Sequence, residues 1–139
     1  TAEAAPASHL DGMTRSLPAL RHAEKLQQRA SRQGFDWPDV EPVFAKWQEE
    51  IEELHEAWNH GQGDHDRIED EFGDVLFVAV NLARFLRVDP ETALRRTNAK
   101  FERRFRRMET LLAARGKVMS EQSLDDLDAL WNQAKREQG

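Results

Sequence analysis

Apolar side chains recur every three or four residues along most of this chain, and that spacing limits the possible fold more than any other feature. A period of this length places the side chains on one side of a helix. The strict alternation that is typical of a half-buried β-strand occurs nowhere in the sequence. Helix breakers separate the apolar stripes at Gly34, Gly61, Gly63, Asp89-Pro90 and Gly116. The sequence therefore predicts an all-α fold, a helical bundle.

The stripes and their capping residues predict five helices. The first begins at Ser16-Leu17-Pro18 and ends at Gly34, and the second covers about 39–59. The third covers about 66–86 and is apolar around most of its circumference, so we expect it to be the central buried helix. The fourth begins at Asp89-Pro90 and ends near Arg115, and a short fifth helix begins at Ser123. Residues 1–15 have the composition of a flexible linker or tail, which leaves 16–139 as one domain.

Composition restricts the class of protein and its surroundings. Of the 139 residues, 39% are hydrophobic and 33% are charged, which suits a globular domain of amphipathic helices. The chain has no cysteine, so we expect neither disulfides nor thiolate metal sites, and we expect a reducing cytoplasm. No apolar stretch reaches the roughly 18–20 residues that span a bilayer, so no membrane partner is expected. The chain starts at Thr1 rather than Met, which suggests the C-terminal part of a longer protein.

Two acidic clusters carry the strongest chemical signal. They are Glu49-Glu50-Ile51-Glu52-Glu53 on the second predicted helix and Glu71-Phe72-Gly73-Asp74 on the third. At about 100° per residue, Glu50 and Glu53 point towards the bundle, while the other acids of the first cluster face solvent. Glu71 and Asp74 share a sector with Asn81 among apolar neighbours, where unpaired carboxylates are costly. Four converging carboxylates predict a site for a hard divalent cation, Mg²⁺ or Mn²⁺.

Two other readings of these acids have to be weighed. The second helix alone is compatible with a solvated acidic face that is stabilised by ion pairs such as Lys46–Glu50. The segment Glu52-Glu53-Leu54-His55 contains Glu-x-x-His, a motif of di-iron carboxylate bundles. Those bundles need the motif twice, however, and the third helix has Asp74 where a histidine is required. We therefore set the di-iron reading aside.

Polar residues on the last two helices form a second group of candidates. The fourth helix places Asn98 on its apolar stripe, with Lys100 and Arg104 beside it one turn apart. Cations and an inward amide fit the phosphate oxygens that a metal leaves uncovered, although an ordinary basic helix surface explains them equally well. On the fifth helix, Trp131 and Lys135 are one turn apart. The tryptophan either anchors the core or stacks on a nucleobase.

The combination of these motifs resembles the all-α nucleoside triphosphate pyrophosphohydrolases, and especially the C-terminal domain of MazG. The resemblance rests on Glu-Glu-x-x-Glu and Glu-x-x-Asp, with flanking matches at residues 16–20, 34–37, 73–77, 81–84 and 98–105. It implies Mg²⁺-dependent hydrolysis of a nucleoside triphosphate to the monophosphate and pyrophosphate, which serves to clean the nucleotide pool. It also implies a homodimer with a shared four-helix core, and a MazG-like domain over 16–139.

The resemblance also implies roles for individual residues. Four acids would be the metal ligands, and they are Glu50, Glu53, Glu71 and Asp74. Lys100 and Arg104 would contact the phosphates, Trp131 and Lys135 would serve the nucleotide end, and Lys46 and Asn98 would be further members of the pocket. Glu49, Glu50 or Glu53 would accept a proton from the attacking water, and geometry favours Glu53 or Glu50.

Two other functions compete with this one. The chain is alternatively a non-catalytic helical dimerisation or regulatory module whose acids form surface ion pairs. The basic fourth helix also allows a nucleic-acid binder, but the net charge of −6 opposes that reading, and no nucleic-acid partner is expected.

Overall fold

The computed structural model describes residues 7–14, 16–60 and 63–138, and these residues form helices and loops without any β-strand. The helices are α1 (Ala19–Arg32), α2 (Val40–His60), α3 (His65–Phe85), α4 (Pro90–Ala114) and α5 (Leu124–Gln138), with a 3₁₀ turn at Met119–Glu121. The all-α prediction is confirmed, and the helix bounds agree closely with those expected from the breakers. None of the described helices has the length and apolar character needed to span a membrane.

Local hydrogen bonds explain where these helices begin and end. The carboxylate of Asp64 accepts from the backbone N–H of Arg67 at 3.1 Å, which caps α3. The hydroxyl of Ser123 accepts from the N–H of Asp126 at 3.1 Å, as the capping pattern predicts for α5. Gly34 follows α1 with a φ of +86°, a backbone conformation that residues other than glycine rarely adopt.

Part of the predicted tail is attached to α1. Within the described residues of that segment, the N–H of Asp11 donates to the carbonyl of Ser8 at 3.0 Å, forming a turn. The guanidinium of Arg29 donates to the carbonyl of His9 at 3.2 Å and to that of Asp11. Residues 1–6 and 15 of the predicted linker lie outside the described residues, and its flexibility stays a prediction.

The chain divides into two compact units between Glu91 and Thr92. In the first unit α2 packs along α3, and α1 packs against α3 as well. The buried apolar side chains of this unit belong to α2 and α3, and they are Val43, Ala57, Val75, Val78 and Val80. In the second unit α4 and α5 share a core of Met108, Leu112, Leu130 and Ala134.

Helix α3 is less buried than its composition predicts. Phe72, Leu76 and Phe77 are 51%, 44% and 41% exposed, so the expectation of a central buried helix is wrong for the single chain. The physical reason is that α1 and α2 cover only part of the apolar circumference of α3. On the remainder, Phe72 and Leu76 lie one turn apart and are exposed, as apolar side chains at interaction sites are, whereas Phe77 lines a cavity of the first unit.

Candidate functional site

Three of the predicted metal ligands converge where α2 faces α3. Glu50 and Glu53 lie one turn apart on α2, and Glu71 comes from α3. One carboxylate oxygen from each lies within 4.8 Å of the others. Spacing of i, i+3 on one helix, with an acid on a helix packed beside it, is sufficient to create this cluster. The prediction that the two acidic motifs meet is thus realised for these three residues.

The cluster has a cation on one side and unbalanced negative charge on the other. The ammonium of Lys46 lies 3.2 Å from Oε1 of Glu50 and 3.4 Å from Oε1 of Glu49. The pKa of Lys46 is raised, mainly through its hydrogen bond to Glu50. The pKa of Glu53 is also raised, first by the charge of Glu50, then by loss of hydration and by Glu71. A single lysine therefore does not neutralise the carboxylates.

Two oxygens of the cluster lack any hydrogen-bond partner among the described residues. They are Oε2 of Glu50 and Oε2 of Glu71, and both are buried. A buried carboxylate oxygen without a partner is costly unless a cation binds it. A donor set made only of carboxylate oxygens suits a hard divalent ion such as Mg²⁺ or Mn²⁺. The residues of this cluster therefore fit such an ion.

The fourth predicted ligand, Asp74, is placed differently. Its side chain is exposed and lies outside the group of three, so the expectation that it is buried among apolar neighbours is wrong. One turn after Glu71, it is instead part of the wall of a cavity of about 810 Å³, together with Lys46 and Glu50. The cavity therefore adjoins the acidic cluster.

The candidates on α4 and α5 lie in the second unit. Asn98, Lys100 and Lys135 are exposed, and for Asn98 this corrects the prediction of an inward amide. The buried core that α4 shares with α5 lies at Met108 and Leu112, ten or more residues beyond Asn98. The guanidinium of Arg104 lies 5.4 Å from the centre of the Trp131 ring, a cation–π contact, and the ring of Phe101 is also 5.4 Å away. Trp131 packs against the core of this unit and is half-buried.

Three polar residues of the cavity wall are functional candidates that the sequence reasoning did not single out. Asp36 and Arg84 form an ion pair of 2.6 Å, and the buried Gln27 donates from Nε2 to the carbonyl of Phe77 at 2.8 Å. Asp36 and Arg84 lie in segments that carry the family resemblance, 34–37 and 81–84. Their place in these segments could have marked both residues as candidates, but it did not show that the two side chains meet.

Comparisons with known proteins agree on one family. Residues 39–108 match the model of the MazG nucleotide pyrophosphohydrolase domain. A nucleoside triphosphate pyrophosphohydrolase of Escherichia coli K12 is 44% identical over 137 residues, which are 99% of this chain and 52% of that protein. The nucleoside triphosphate pyrophosphohydrolase/pyrophosphatase MazG of Thermotoga maritima is 48% identical over 119 residues, 86% of this chain and 45% of that protein.

A third relative is the uncharacterized protein YabN of Bacillus subtilis, which is 42% identical over 128 residues. These residues are 92% of this chain but only 26% of that protein. The chain thus spans about half the length of the two pyrophosphohydrolases and a smaller part of the third relative.

Proposed function

The chain belongs to the MazG nucleotide pyrophosphohydrolase domain family, and we propose that it hydrolyses nucleoside triphosphates to nucleoside monophosphates and pyrophosphate. The observation that carries the proposal is the cluster of Glu50, Glu53 and Glu71, two of which hold a buried oxygen that meets no hydrogen-bond partner in the part of the chain that the structure describes. A carboxylate cluster beside a cavity provides a place for a cation next to a place for its phosphate ligand. Removal of damaged or surplus nucleotides is the role that we propose for this reaction.

Mg²⁺, with Mn²⁺ as a substitute, is the ion that we propose for the cluster. Glu50, Glu53 and Glu71 would hold it, and Asp74 would join them from the cavity wall. When bound, the ion supplies positive charge that polarises phosphate oxygens and activates water. The carboxylates hold their positions on two packed helices, so little reorganisation is needed when the substrate arrives.

The other residues act on water and phosphate directly in this proposal. Glu53 or Glu50 accepts a proton from the water that attacks the triphosphate, and the bond between the α- and β-phosphates breaks. Lys46 occupies one oxygen of Glu50, which favours Glu53 as the base. The family resemblance supports phosphate contacts for Lys100 and Arg104, a supporting role for Asn98, and a role at the nucleotide end for Trp131 and Lys135, all of them residues of the second unit.

We also propose that the active form is a homodimer. The support is the apolar surface formed by Phe72 and Leu76 of α3, which are one turn apart and exposed in the single chain. A second copy that covers this surface would remove it from water and complete a four-helix core. Light scattering after gel filtration should give twice the chain mass of 16.1 kDa, and a monomer at micromolar concentration would refute the proposal.

The activity itself is tested by incubating the purified chain with Mg²⁺ and nucleoside triphosphates and separating the products. Monophosphate and pyrophosphate should appear in equal amounts, without inorganic phosphate. Glu71→Gln and Asp74→Asn should each lower the rate by about 100-fold, the upper end of the loss caused by disturbing a metal site.

Asp70→Asn is the matched control, because Asp70 is an exposed neighbour on the same helix and its change removes the same charge. The control should retain the wild-type rate. If folded Glu71→Gln retained full activity, the site would be wrong. If the wild type released no pyrophosphate at all, the alternative of a non-catalytic dimerisation module would be favoured.

A further inference from the structure

The cavity of the first unit has a charged part and an apolar part. Lys46, Glu50 and Asp74 contribute charge, whereas Phe35, Trp37 and Phe77 contribute aromatic surface. Its volume of about 810 Å³ lies within the range of small-molecule sites. Because the charged residues belong to the proposed phosphate site, the part of a nucleotide that extends beyond its phosphates would enter the same cavity.

Two polar residues, Asn81 and Arg84, lie further along α3 in the wall of this cavity. Asn81 follows Asp74 by seven residues, which corresponds to about 10 Å of helix at 1.5 Å per residue. Arg84 is one turn further on, and both residues line the cavity. A polar group set among apolar walls at a distance from the charged part is the arrangement that fixes the orientation of a bound ring.

Arg84 is held in place by Asp36. The Nη1 and Nη2 atoms of Arg84 donate to the two carboxylate oxygens of Asp36 at 2.9 and 2.6 Å, which is a bidentate contact. The side chain of Arg84 is only 17% exposed and that of Asp36 only 20%. Asp36 also accepts from the hydroxyl of Ser31 at 2.8 Å and from the N–H of Trp37 at 2.9 Å. The loop between α1 and α2 is thereby joined to α3, and the guanidinium has little freedom to rotate.

Arg84 in turn determines the orientation of the Asn81 amide. Its Nη2 lies 2.9 Å from Oδ1 of Asn81. A guanidinium has donors only, so the atom that meets it must be the amide oxygen, and the amide nitrogen occupies the other end. Asn81 therefore presents N–H donors on the side away from Arg84.

We propose that Asn81 determines base specificity by donating a hydrogen bond from Nδ2 to an exocyclic carbonyl oxygen of the nucleobase, and that Arg84 and Asp36 are positioning residues for this amide. The inference rests on the proposed function, because it takes the cavity to hold the nucleoside part of that substrate. Uracil and hypoxanthine carry a carbonyl where cytosine and adenine carry an amino group. A fixed donor bonds the carbonyl, but it faces a second donor in the amino bases, which leaves polar hydrogens unpaired.

The expected effect is about tenfold in affinity, the size of one net hydrogen bond between neutral groups. Calorimetric titration of the whole chain with nucleoside monophosphates in Mg²⁺ measures it without turnover, because a monophosphate has no bond between α- and β-phosphates to break. The wild type should bind dUMP about tenfold more tightly than dCMP, and IMP about tenfold more tightly than AMP. Each pair of ligands differs in one exocyclic group and in the proton on the adjoining ring nitrogen, so sugar and phosphate contacts cancel.

Substitutions at Asn81 test the donor directly. Asn81→Asp retains the shape and presents an acceptor instead, so the preference should reverse towards dCMP and AMP. Asn81→Leu should abolish the preference. Equal affinities for dUMP and dCMP in the wild type, or an unchanged preference in Asn81→Asp, would overturn the inference.

Substitutions at Arg84 test the positioning role. Arg84→Met should reduce the preference to about twofold or less because the amide is free to rotate, while Arg84→Lys should restore part of it. Arg96→Met, an exposed arginine on α4, is the control and should retain the tenfold preference. An undiminished preference in folded Arg84→Met would refute the positioning role. If Arg84→Met does not fold by circular dichroism, Asn81→Asp still decides the inference.

The binding assay also separates this inference from the proposed function. Release of pyrophosphate without any base preference would refute the role of Asn81 and leave the pyrophosphohydrolase activity standing. A base preference in binding without any hydrolysis would refute the activity and leave the nucleotide cavity standing.

Discussion

The acidic cluster should make the metal-free protein less stable than a variant that lacks one of its charges. Glu71→Gln replaces one of the three clustered carboxylates by a neutral amide of the same shape. Without a divalent ion, we expect this variant to be more stable than the wild type. With saturating Mg²⁺, we expect the wild type to be the more stable protein, because the variant has lost a ligand.

The size of the first effect follows from the geometry. The ligand oxygens of Glu50 and Glu71 lie within 4.8 Å of each other. Two unit charges at this separation repel by about 0.9 kcal/mol in water and by about 3.5 kcal/mol at an effective dielectric constant of 20. Salt at physiological strength screens a partly buried pair only in part. We therefore expect the metal-free variant to gain about 1–2 kcal/mol in its free energy of unfolding.

The size of the second effect follows from linkage. An ion that binds only the native state at a hundredfold excess over its Kd adds about 2.7 kcal/mol to the free energy of unfolding. If the loss of one ligand weakens binding by about 100-fold, the same Mg²⁺ concentration adds only about 0.4 kcal/mol to the variant. The larger gain of the wild type exceeds the repulsion that the substitution relieves.

Urea unfolding followed by circular dichroism measures both effects at one protein concentration, first in EDTA and then in Mg²⁺ at a hundredfold excess over the measured Kd. Asp70→Asn is the control and should stay within about 0.5 kcal/mol of the wild type in both buffers, as surface substitutions do. A Glu71→Gln variant that is destabilised in EDTA would show that the carboxylate makes a favourable contact instead. An unchanged response to Mg²⁺ would show that Glu71 is not a ligand.

Three other predictions concern stability. The Arg84 guanidinium lowers the pKa of Asp36 from 3.8 to about 2, so its ionised form stabilises the native state. The free energy of unfolding of the wild type should exceed that of Asp36→Asn by about 1–2 kcal/mol above pH 4, after allowance for partial exposure. In urea titrations this difference should shrink below about pH 4 and be lost as the pH falls through about 2. Leu112→Ala should cost about 2–5 kcal/mol by urea unfolding, because Leu112 is only 2% exposed in the core of the second unit. Gly73→Ala should add about 0.5–1 kcal/mol by improving the α3 interior, since none of the described residues beyond the adjoining helix backbone comes within 4 Å of the added Cβ. A loss that grows on dilution would instead place this glycine against a second copy.

Periodicity was sufficient to predict the helices and the meeting of Glu50, Glu53 and Glu71. The helices and the pairing of Glu50 with Glu53 depend on local geometry, because residues three or four apart share a side of a helix whatever else the chain does. Breakers such as Gly34 and the cap at Ser123 determined the helix ends for the same reason. Local rules of this kind need no knowledge of which helix packs against which. Glu71, in contrast, joins Glu50 and Glu53 because α3 packs against α2.

The same rules failed where the outcome depends on what covers a helix. The apolar circumference of α3 and the stripe position of Asn98 both suggested burial, yet Phe72 and Asn98 are exposed in the chain. The ion pair between Asp36 and Arg84 joins residues 48 positions apart and depends on the course of a loop. Spacing carries no information about such a contact, although both residues lie in segments that resemble the family.

One helix connects the proposed chemistry with the proposed specificity. Glu71 and Asn81 are ten residues apart on α3, which corresponds to about 15 Å along a rigid rod. Glu71 belongs to the acidic cluster at the phosphate site, while Asn81 is held by Arg84 in the cavity wall. Because the two groups share a helix, the distance between them does not vary with the bound base. Substitution of Asn81 should therefore change which base is preferred, and the response of the acidic cluster to Mg²⁺ should stay as it is.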